Sequence, residues 1–218
     1  MIEVERLSKS FGERMLWRDI TLTVGRGEML ALTGPSGSGK STLLNCLGLL
    51  DRPSSGVIRH EGKDITRFGK REARLFRRDT LGYLFQGYAL IENATIEENL
   101  EVAVKPRRAL RGKVDASFTE ALQRVGLAGR HRDTVHRLSG GEQQRVALAR
   151  LIVQQPKLVL ADEPTAALDR DNTVMVLESL RDMTRAGCTV VIATHDDTVR
   201  DACDNVFDVG APLEAKLS

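Results

Sequence analysis

Short apolar runs alternate with amphipathic segments along the chain, and the short runs dominate its first third. MIEVERLS, DITLTVG and EMLALTG have the length of strands and are separated by glycines, so three strands are predicted there. STLLNCLGLL then predicts a helix, SGVIRHEG a strand, GKREARLFRRD a basic helix and LGYLFQ a buried strand. From about residue 88 to residue 137 the pattern turns helical, with TIEENLEVAV and DASFTEALQRVGL joined by a basic loop. This stretch predicts an inserted helical region.

The last third of the chain alternates buried strands with helices. KLVLADE, CTVVIAT and NVFDVG predict strands, and NTVMVLESLRDMTRAG predicts a helix between the first two of them. Alternation of this kind is typical of a parallel sheet with both faces covered. Ligands of such sheets collect at the carboxyl ends of the strands. Polar residues that follow these strands are therefore the first candidates for a functional site.

Composition narrows the choice of partners and compartment. The 218 residues are 41% hydrophobic and carry a net charge of +2, which favours one globular domain and predicts no nucleic-acid partner. Cys46, Cys188 and Cys203 are isolated and have no metal-binding spacing. With no secretory signal at the N-terminus, they predict reduced thiols in the cytosol. The most apolar runs are too short to cross a bilayer, so any work at a membrane needs another chain that spans it.

A glycine-rich loop follows the third predicted strand and precedes a predicted helix. GPSGSGKS matches the phosphate-loop pattern in the strand and helix context that the pattern requires. Glycines let the backbone wrap phosphates, Lys40 would neutralise the β- and γ-phosphates of a nucleotide, and Ser41 would ligate Mg²⁺. The alternative is a flexible glycine turn, which leaves Lys40 without a role. The candidate phosphate-binding residues are Gly34, Pro35, Ser36, Gly37, Ser38, Gly39, Lys40, Ser41 and Thr42.

Acidic and polar residues follow three of the apolar strands. Asp162 and Glu163 end KLVLADE, where Asp162 would hold Mg²⁺ and Glu163 would orient and deprotonate the attacking water. Such acids are otherwise helix caps or surface charges, but the accompanying phosphate loop favours the catalytic interpretation. Gln86 follows LGYLF and His195 follows CTVVIAT, so both can reach the same edge of the sheet. The remaining histidines, His60 among them, are interpreted as surface or capping residues.

A second anion-binding feature lies in RLSGGEQQRVALARL. Ser139 and Gly140 precede a predicted helix, and the backbone N–H groups and positive dipole end of a helix favour a phosphate at this position. One small chain thus carries two predicted phosphate cradles.

The order of these motifs resembles that of the ATP-binding-cassette (ABC) ATPases, from residue 2 to about residue 210. LSGGEQ is the specific element, since ordinary phosphate-loop GTPases and kinases lack it. The resemblance implies an α/β fold with a mostly parallel P-loop NTPase core, an N-terminal antiparallel β subdomain and an inserted helical subdomain. Its predicted limits are residues 1–86 and 156–218 for the ATP-binding core and 87–155 for the helical subdomain with its signature motif.

The resemblance also implies a head-to-tail, ATP-dependent pair of copies. The glycine loop of one copy and the signature of the other would close on one ATP, which accounts for the two cradles. Ser139, Gly140 and Gly141 would contact the γ-phosphate bound at the Lys40 loop of the second copy. Glu163 matches the catalytic base and His195 the γ-phosphate switch. The resemblance also implies that Phe11 stacks on adenine, with a core aromatic as the alternative, and that Gln143 contacts ATP.

The metal ligands that the resemblance implies are Gln86, Ser41 and Asp162. Asp169 matches the loop that couples the two sites, although Ala167 stands where serine is common.

Within the family, GPSGSGKSTLLNCLGLLDRPSSGVI and LFQGYALIENATIEENL are most similar to the MacB/LolD/FtsE group, and LGYLFQGYALIENATIEENL to exporters of lactococcin-972-type bacteriocins. This resemblance implies a separate transmembrane permease, gripped by residues 87–100, and a location on the cytoplasmic face of the cell membrane. Tyr88, Leu90 and Ile91 would touch the permease or, alternatively, pack on the helical region. The expected function is export of a peptide, lipid, haem or drug. The alternatives are an FtsE-like regulator and an importer, and the basic residues between Lys105 and Lys113 are expected in a solvated loop.

Overall fold

The computed structural model describes residues 1–104, 114–166 and 168–210. The basic loop from Lys105 to Lys113 and Ala167 lie outside the described residues. The described strands are β1 (Ile2–Phe11), β2 (Arg14–Val24), β3 (Met29–Thr33), β4 (Ser55–His60), β5 (Lys63–Asp64), β6 (Leu81–Leu84), β7 (Leu158–Asp162), β8 (Thr189–Ala193) and β9 (Asn205–Asp208). The described helices are α1 (Lys40–Leu47), α2 (Lys70–Asp79), α3 (Ile96–Val104), α4 (Val114–Arg124), α5 (Gly140–Gln154), α6 (Arg170–Arg185) and α7 (Asp197–Asp201), with a 3-10 turn at Val135–Arg137.

The N-terminal strands form an antiparallel sheet in the order β2-β1-β4-β5. Strands β1 and β2 form a hairpin that turns at Gly12, whose φ of 58° is readily adopted by glycine. Alternate side chains of β2 are buried, including Ile20, Leu22 and Val24, which is the period-two pattern of a sheet with one covered face. The expected antiparallel subdomain is confirmed, and the two-residue strand β5 is an addition that no apolar run predicted.

A parallel sheet in the order β6-β7-β8-β3-β9 forms the centre of the molecule. Because these strands run in one direction, the segments after β3, β6, β7 and β8 emerge at one edge. These segments carry the glycine loop, Gln86, Glu163 and His195, respectively. Gln86 and His195 each lie two residues beyond the last residue of their strand. The predicted convergence of polar residues is thus observed, slightly further from the strands than the apolar runs suggested.

The two faces of the parallel sheet face different layers. Val159, Ala161, Val190 and Ile192 pack with helices α3 to α6, and they belong to one buried cluster. Leu158, Leu160, Val191 and Ala193 belong to a second cluster, with α1 and the antiparallel sheet. Each residue in these two sets is completely buried. The sheet is therefore the middle layer, covered on both sides as its apolar composition predicts.

Helices α3, α4 and α5 lie between β6 and β7 in the chain and form the predicted helical region. Helix α5 contacts both α3 and α4 and also contacts β6, so the helical region packs directly on the sheet. One hydrophobic cluster runs from Leu100 in α3 through Val146 in α5 to Val159 in the sheet. The division at residues 87 and 155 stays a prediction, because this cluster is continuous across it.

His60 is buried, so its assignment as a surface or capping residue is wrong. It lies two residues after the buried Ile58, on the same inward face of β4. Its ring packs edge-on against Phe76, with 5.4 Å between the ring centroids. Burial lowers the pKa of His60 to about 4.

All three cysteines are free thiols; Cys46 and Cys188 are buried and Cys203 is half-buried. Burial raises the pKa of each to about 12, which suits an inert core thiol.

Candidate active site

The glycine loop connects the end of β3 to the start of α1 at the carboxyl edge of the sheet. Gly34, Gly37 and Gly39 have φ values of 130°, 79° and 95°, in the region that favours glycine. A Cβ atom on Gly39 would also lie 2.6 Å from Nε1 of Trp17, so neither space nor backbone permits a side chain there. These glycines turn the chain tightly enough to leave a concave loop before the helix.

The Lys40 ammonium group closes this loop from inside. Its Nζ donates hydrogen bonds to the carbonyl oxygen of Gly34 at 2.8 Å and to that of Pro35 at 3.3 Å. A charge-assisted bond of this type is worth roughly 1.5–3 kcal/mol, and a phosphate is a stronger acceptor than a carbonyl. Lys40 is therefore already held at the centre of the loop where a phosphate would bind.

Ser41 and Asp162 join the loop to the end of β7. The Ser41 hydroxyl donates to Oδ1 of Asp162 at 3.0 Å, although the residues are 121 positions apart. Burial raises the pKa of Asp162, which the Ser41 hydrogen bond opposes and the Glu163 charge reinforces. A hydroxyl and a carboxylate oxygen beside a phosphate loop are donors that suit Mg²⁺, which retains water and phosphate oxygens as its other ligands. The residues present fit this metal.

Glu163 and His195 form a hydrogen-bonded pair at the same edge. Oε1 of Glu163 lies 2.8 Å from Nδ1 of His195, and the Glu163 backbone N–H donates to the carbonyl of Ala193 at 2.9 Å. Glu163 has a φ of 47°, an uncommon conformation that costs energy in a residue with a side chain. The Glu163 side chain is 16% exposed and that of His195 is 71% exposed. The carboxylate is thus sheltered and fixed, and the imidazole faces solvent.

Residues of the glycine loop line one cleft of about 580 Å³ together with Asp162 and Glu163. Of the predicted site residues, the cleft is lined by Phe11, Ser36, Gly37, Gly39, Lys40, Ser41, Thr42, Gln86, Asp162 and Glu163. Phe11 is 55% exposed, so the alternative of a core aromatic is excluded, and the Lys9 ammonium lies 4.7 Å from its ring centroid. Gly34, Pro35 and Ser38 belong to the same loop without lining the cleft, and His195 reaches it through Glu163.

The second predicted cradle lies elsewhere on the chain. Ser139 caps helix α5, its side chain accepts from the Glu142 N–H at 3.3 Å, and Ser139 and Gly140 are exposed. Nε2 of Gln143 donates to the Leu138 carbonyl at 3.1 Å, which holds the preceding turn against the helix. Neither these residues nor Gly141 lines the cleft at the glycine loop. The structure therefore does not bring the two cradles together within one copy.

Asp169 lies beside the second cradle. Its carboxylate caps helix α6 by accepting a hydrogen bond from the backbone N–H of Asn172 at 2.9 Å. This hydrogen bond lowers the pKa of the Asp169 carboxyl group. The Asn172 amide nitrogen is 3.6 Å from the position of a Cβ on Gly141. The α6 cap and the signature therefore form one exposed surface.

Comparison with known proteins identifies the family that carries both motifs. The family model described as ABC transporter matches residues 17–166. The chain belongs to the ABC transporter family. It carries the ATP-binding domain of that family, as its fold and its glycine loop both indicate.

Individual relatives agree with this assignment. The macrolide export ATP-binding/permease protein MacB 1/2 of Paracoccus denitrificans is 44% identical over 191 residues, which cover 88% of this chain and 29% of that protein. The arginine transport ATP-binding protein ArtM of Bacillus subtilis is 40% identical over 197 residues, which cover 90% of this chain and 81% of ArtM. Alignments to two MacB proteins span 32% and 29% of their lengths.

A solved structure shows the same fold. The ATP-binding cassette MJ0796, as a dimer in a post-hydrolysis state with ADP and Pi, superimposes with a TM-score of 0.84 at 31% identity. The match covers 96% of this chain and 95% of that one. No helix within the described parts of this ABC domain combines the length and hydropathy of a bilayer span.

In this ABC domain, the segment after Gln86 is held by two polar residues, the half-buried Arg150 and the buried Asn99. Tyr88 and Ala89 have φ values of 59° and 50°, and Arg150 of helix α5 donates to their carbonyl oxygens at 3.1 and 2.6 Å. Asn99 of α3 is 1% exposed and binds both the N–H and the carbonyl of Ile91. The segment is therefore fixed to the helical region on both sides.

The packing alternative for this segment is confirmed for two of its three residues. Tyr88 and Leu90 are partly buried against the helical cluster. Ile91 is 53% exposed and remains the candidate for contact with a permease. Neither Arg150 nor Asn99 was predicted as a functional residue; for Asn99, a polar residue at an inward position of a predicted helix was a usable signal.

The pairing with Glu163 predicts an altered titration of His195 in the nucleotide-free protein. A hydrogen bond from the imidazolium to Glu163, with the carboxylate charge, raises the pKa of His195 above its ordinary value of 6.5. We expect Glu163→Gln to lower this pKa, measured by NMR titration of the ring C–H signals. The protonated pair contributes stability fully below pH of about 6.5, and loses it as pH rises through the raised pKa.

His60 provides the internal control for this titration. Its pKa of about 4 results from burial at a distance from Glu163, so the substitution should leave its signal unchanged. A His195 pKa that is the same in both forms would contradict the pairing.

Proposed function

We propose that this ABC domain hydrolyses ATP as the energy-coupling subunit of an exporter whose membrane permease is a separate chain or domain. The observation that carries the proposal is the hydrogen-bonded chain at the carboxyl edge of the sheet. Ser41 bonds to Asp162, and Glu163, the next residue, bonds to His195. Groups that would bind phosphate, hold a metal ion and accept a proton therefore lie in or beside one cleft, which supports ATP hydrolysis as the reaction.

Each group has a separate part in the proposed reaction. The Lys40 ammonium and the loop N–H groups would bind the β- and γ-phosphates, and Phe11 would stack on the adenine at the mouth of the cleft. Ser41, Asp162 and Gln86 would hold Mg²⁺, which offsets negative charge on the phosphate oxygens when bound. Glu163 would orient a water molecule and accept its proton, and His195 would donate to the γ-phosphate.

The proposed active unit is a head-to-tail pair of copies. Within one copy the signature cap does not line the glycine-loop cleft, and Ser139 and Gly140 are exposed. In a pair, the cap of one copy would meet the phosphates bound at the Lys40 loop of the other. The dimeric state of the MJ0796 cassette supports this arrangement. Gly140, Gly141 and Gln143 would then contact the ATP of the second copy, with Asp169 adjacent.

Export is the direction that the relatives favour. Five relatives are named as export proteins, three for macrolides and two for pyoverdine, and each of these names also includes a permease. A peptide, lipid, haem or drug is the proposed class of cargo, carried by a permease that Ile91 contacts from the cytoplasmic face of the membrane. The similarity to ArtM favours a second candidate, the transport of an amino acid or a similar small solute. An FtsE-like regulatory role is the alternative without transport.

Purification of the intact protein from its native membranes tests the membrane role. We expect a tagged Glu163→Gln form, extracted with Mg-ATP, to retain a polytopic membrane partner in stoichiometric amount, identified by mass spectrometry. If the permease is part of the same polypeptide, the purified protein should be correspondingly longer than 218 residues. An untagged culture treated identically is the control. Recovery of soluble partners alone, at the length of this chain, would refute the transporter role and leave the ATPase chemistry intact.

A further inference from the structure

Helix α5 carries a carboxylate at the terminus that is proposed to receive a phosphate. Glu142 lies in its first turn and forms a capping box with Ser139, in which Oε2 of Glu142 accepts from the Ser139 N–H at 2.8 Å. The carboxylate stabilises the isolated helix because it lies at the positive end of the dipole. The same negative charge would repel the γ-phosphate of a second copy. Glu142 therefore helps the cap and opposes its ligand.

Arg130 binds the other oxygen of this carboxylate. Its guanidinium donates one hydrogen bond to Oε1 of Glu142 and another to Oδ2 of Asp133, the latter at 2.7 Å. The hydrogen bond from Arg130, followed by that from Ser139, lowers the pKa of Glu142 to about 2. Glu142 is therefore a paired anion at any physiological pH, and its charge is offset by a cation within the same surface.

The turn before the signature explains how Arg130 reaches this position. Gly126 and Gly129 have φ values of 67° and 77°, and they reverse the chain after helix α4. The Asp133 N–H donates to the Arg130 carbonyl at 3.0 Å, which closes the turn. Asp133 thus fixes both the backbone and the guanidinium of Arg130. Two points of attachment therefore hold the cation in place.

We propose that Arg130 is a positioning residue for ATP-driven pairing: it offsets the charge of Glu142, so that the Ser139 cap accepts the γ-phosphate bound to a second copy. This inference rests on the proposed head-to-tail pair. Arg130 acts through Glu142 and need not touch the nucleotide. If the ion pair were purely structural, it would stabilise the fold of each copy. The effect of Arg130→Met on dimerisation would then not depend on the charge at position 142.

Substitution of Arg130 provides the first arm of the test. In the Glu163→Gln form, we expect Arg130→Met to raise the Mg-ATP concentration for half-maximal dimerisation, measured by light scattering, by roughly 10–100-fold. In the Glu163 form, KM for ATP should rise more than kcat falls. Arg124→Met is the matched control, because the Arg124 side chain is about as exposed as that of Arg130 and forms an ion pair with Asp182, a residue of α6. The control should leave dimerisation unchanged.

A second substitution separates charge from structure. Glutamine at position 142 can still accept from the Ser139 N–H, but it carries no charge. We expect the double variant Arg130→Met with Glu142→Gln to regain dimerisation to within about threefold of the parent, since the unpaired charge at position 142 has gone and the net charge of the cluster with Asp133 equals that of the parent. Melting temperatures of the nucleotide-free variants show whether each one folds.

Three outcomes would overturn the inference. Arg130→Met could dimerise as its parent does, or folded Arg130→Met could remain equally weak after Glu142→Gln is added. Either result refutes the role of Arg130 alone, because the parent still dimerises. If the Glu163→Gln parent itself stays monomeric with Mg-ATP, the proposed pair fails, and this inference fails with it.

Discussion

Glu163→Gln is expected to reduce kcat for ATP hydrolysis by about 10²–10⁴-fold while Mg-ATP still binds. Glutamine has the size of glutamate and can keep a hydrogen bond to His195, but it cannot take a proton from the attacking water. The fixed backbone of Glu163, tied to Ala193, means that the substitution changes chemistry without moving the loop. Phosphate release at saturating Mg-ATP is the measurement.

Slow hydrolysis should also trap the paired state. We expect the Glu163→Gln form to become a dimer on addition of Mg-ATP and to return to a monomer when ATP is removed, as followed by light scattering. Glu178→Gln is the matched control, because Glu178 is an exposed carboxylate on the face of α6 that does not line the cleft. Residual hydrolysis near the parent rate would remove Glu163 from the role of base, and a strictly monomeric Mg-ATP state would contradict the pair.

Lys40→Ala has the second large expected effect, a loss of affinity for Mg-ATP of about 10²–10⁴-fold. Two charge-assisted bonds to phosphate oxygens are worth roughly 1.5–3 kcal/mol each, and 1.4 kcal/mol corresponds to a tenfold change in affinity. In the structure the ammonium donates hydrogen bonds to the carbonyl oxygens of Gly34 and Pro35. In the variant these carbonyl oxygens can accept hydrogen bonds from water instead, so a modest change in melting temperature is expected. Calorimetric titration with Mg-ATP is the measurement.

Lys70→Ala controls for the general loss of a positive charge. Lys70 is an exposed lysine at the start of α2, and it does not line the nucleotide cleft. Its affinity for Mg-ATP should equal that of the unsubstituted protein. An unchanged affinity in Lys40→Ala would mean that the loop binds phosphate through its N–H groups alone.

Motif and strand pattern together predicted the centre of the site. Ser41 and Asp162 are 121 positions apart, yet each stood at a place that the sequence marks, one after a glycine loop and one at the end of an apolar run. Because parallel strands deliver their carboxyl ends to one edge, these local signals sufficed to predict the contact. The contact between Glu163 and His195 has the same cause, since each follows a parallel strand at this edge of the sheet.

The contacts of Arg130 and Arg150 and the burial of His60 were not predictable from the sequence, each for a different physical reason. Arg130 lies in a turn between helices, where no periodicity indicates the direction of a side chain, and its partner Glu142 is visible only once the turn is closed. Arg150 was hidden differently: it lies within a helix read for its apolar residues, and its partners are backbone carbonyls that have no residue type to recognise. The burial of His60 followed from the register of β4, which a single strand does not reveal.

The two-sided burial of strand β7 has a consequence for length variation in this chain. Odd and even residues from Leu158 to Ala161 fill different cores, so inserting or deleting one residue would exchange every side chain between the two layers. The same slip would rotate Asp162 away from Ser41. The spacing between the start of β7 and its acidic pair is therefore maintained twice, once by the solvent-free interior and once by the chemistry at the edge. Homologous chains should tolerate conservative exchanges within β7 far better than any change in its length.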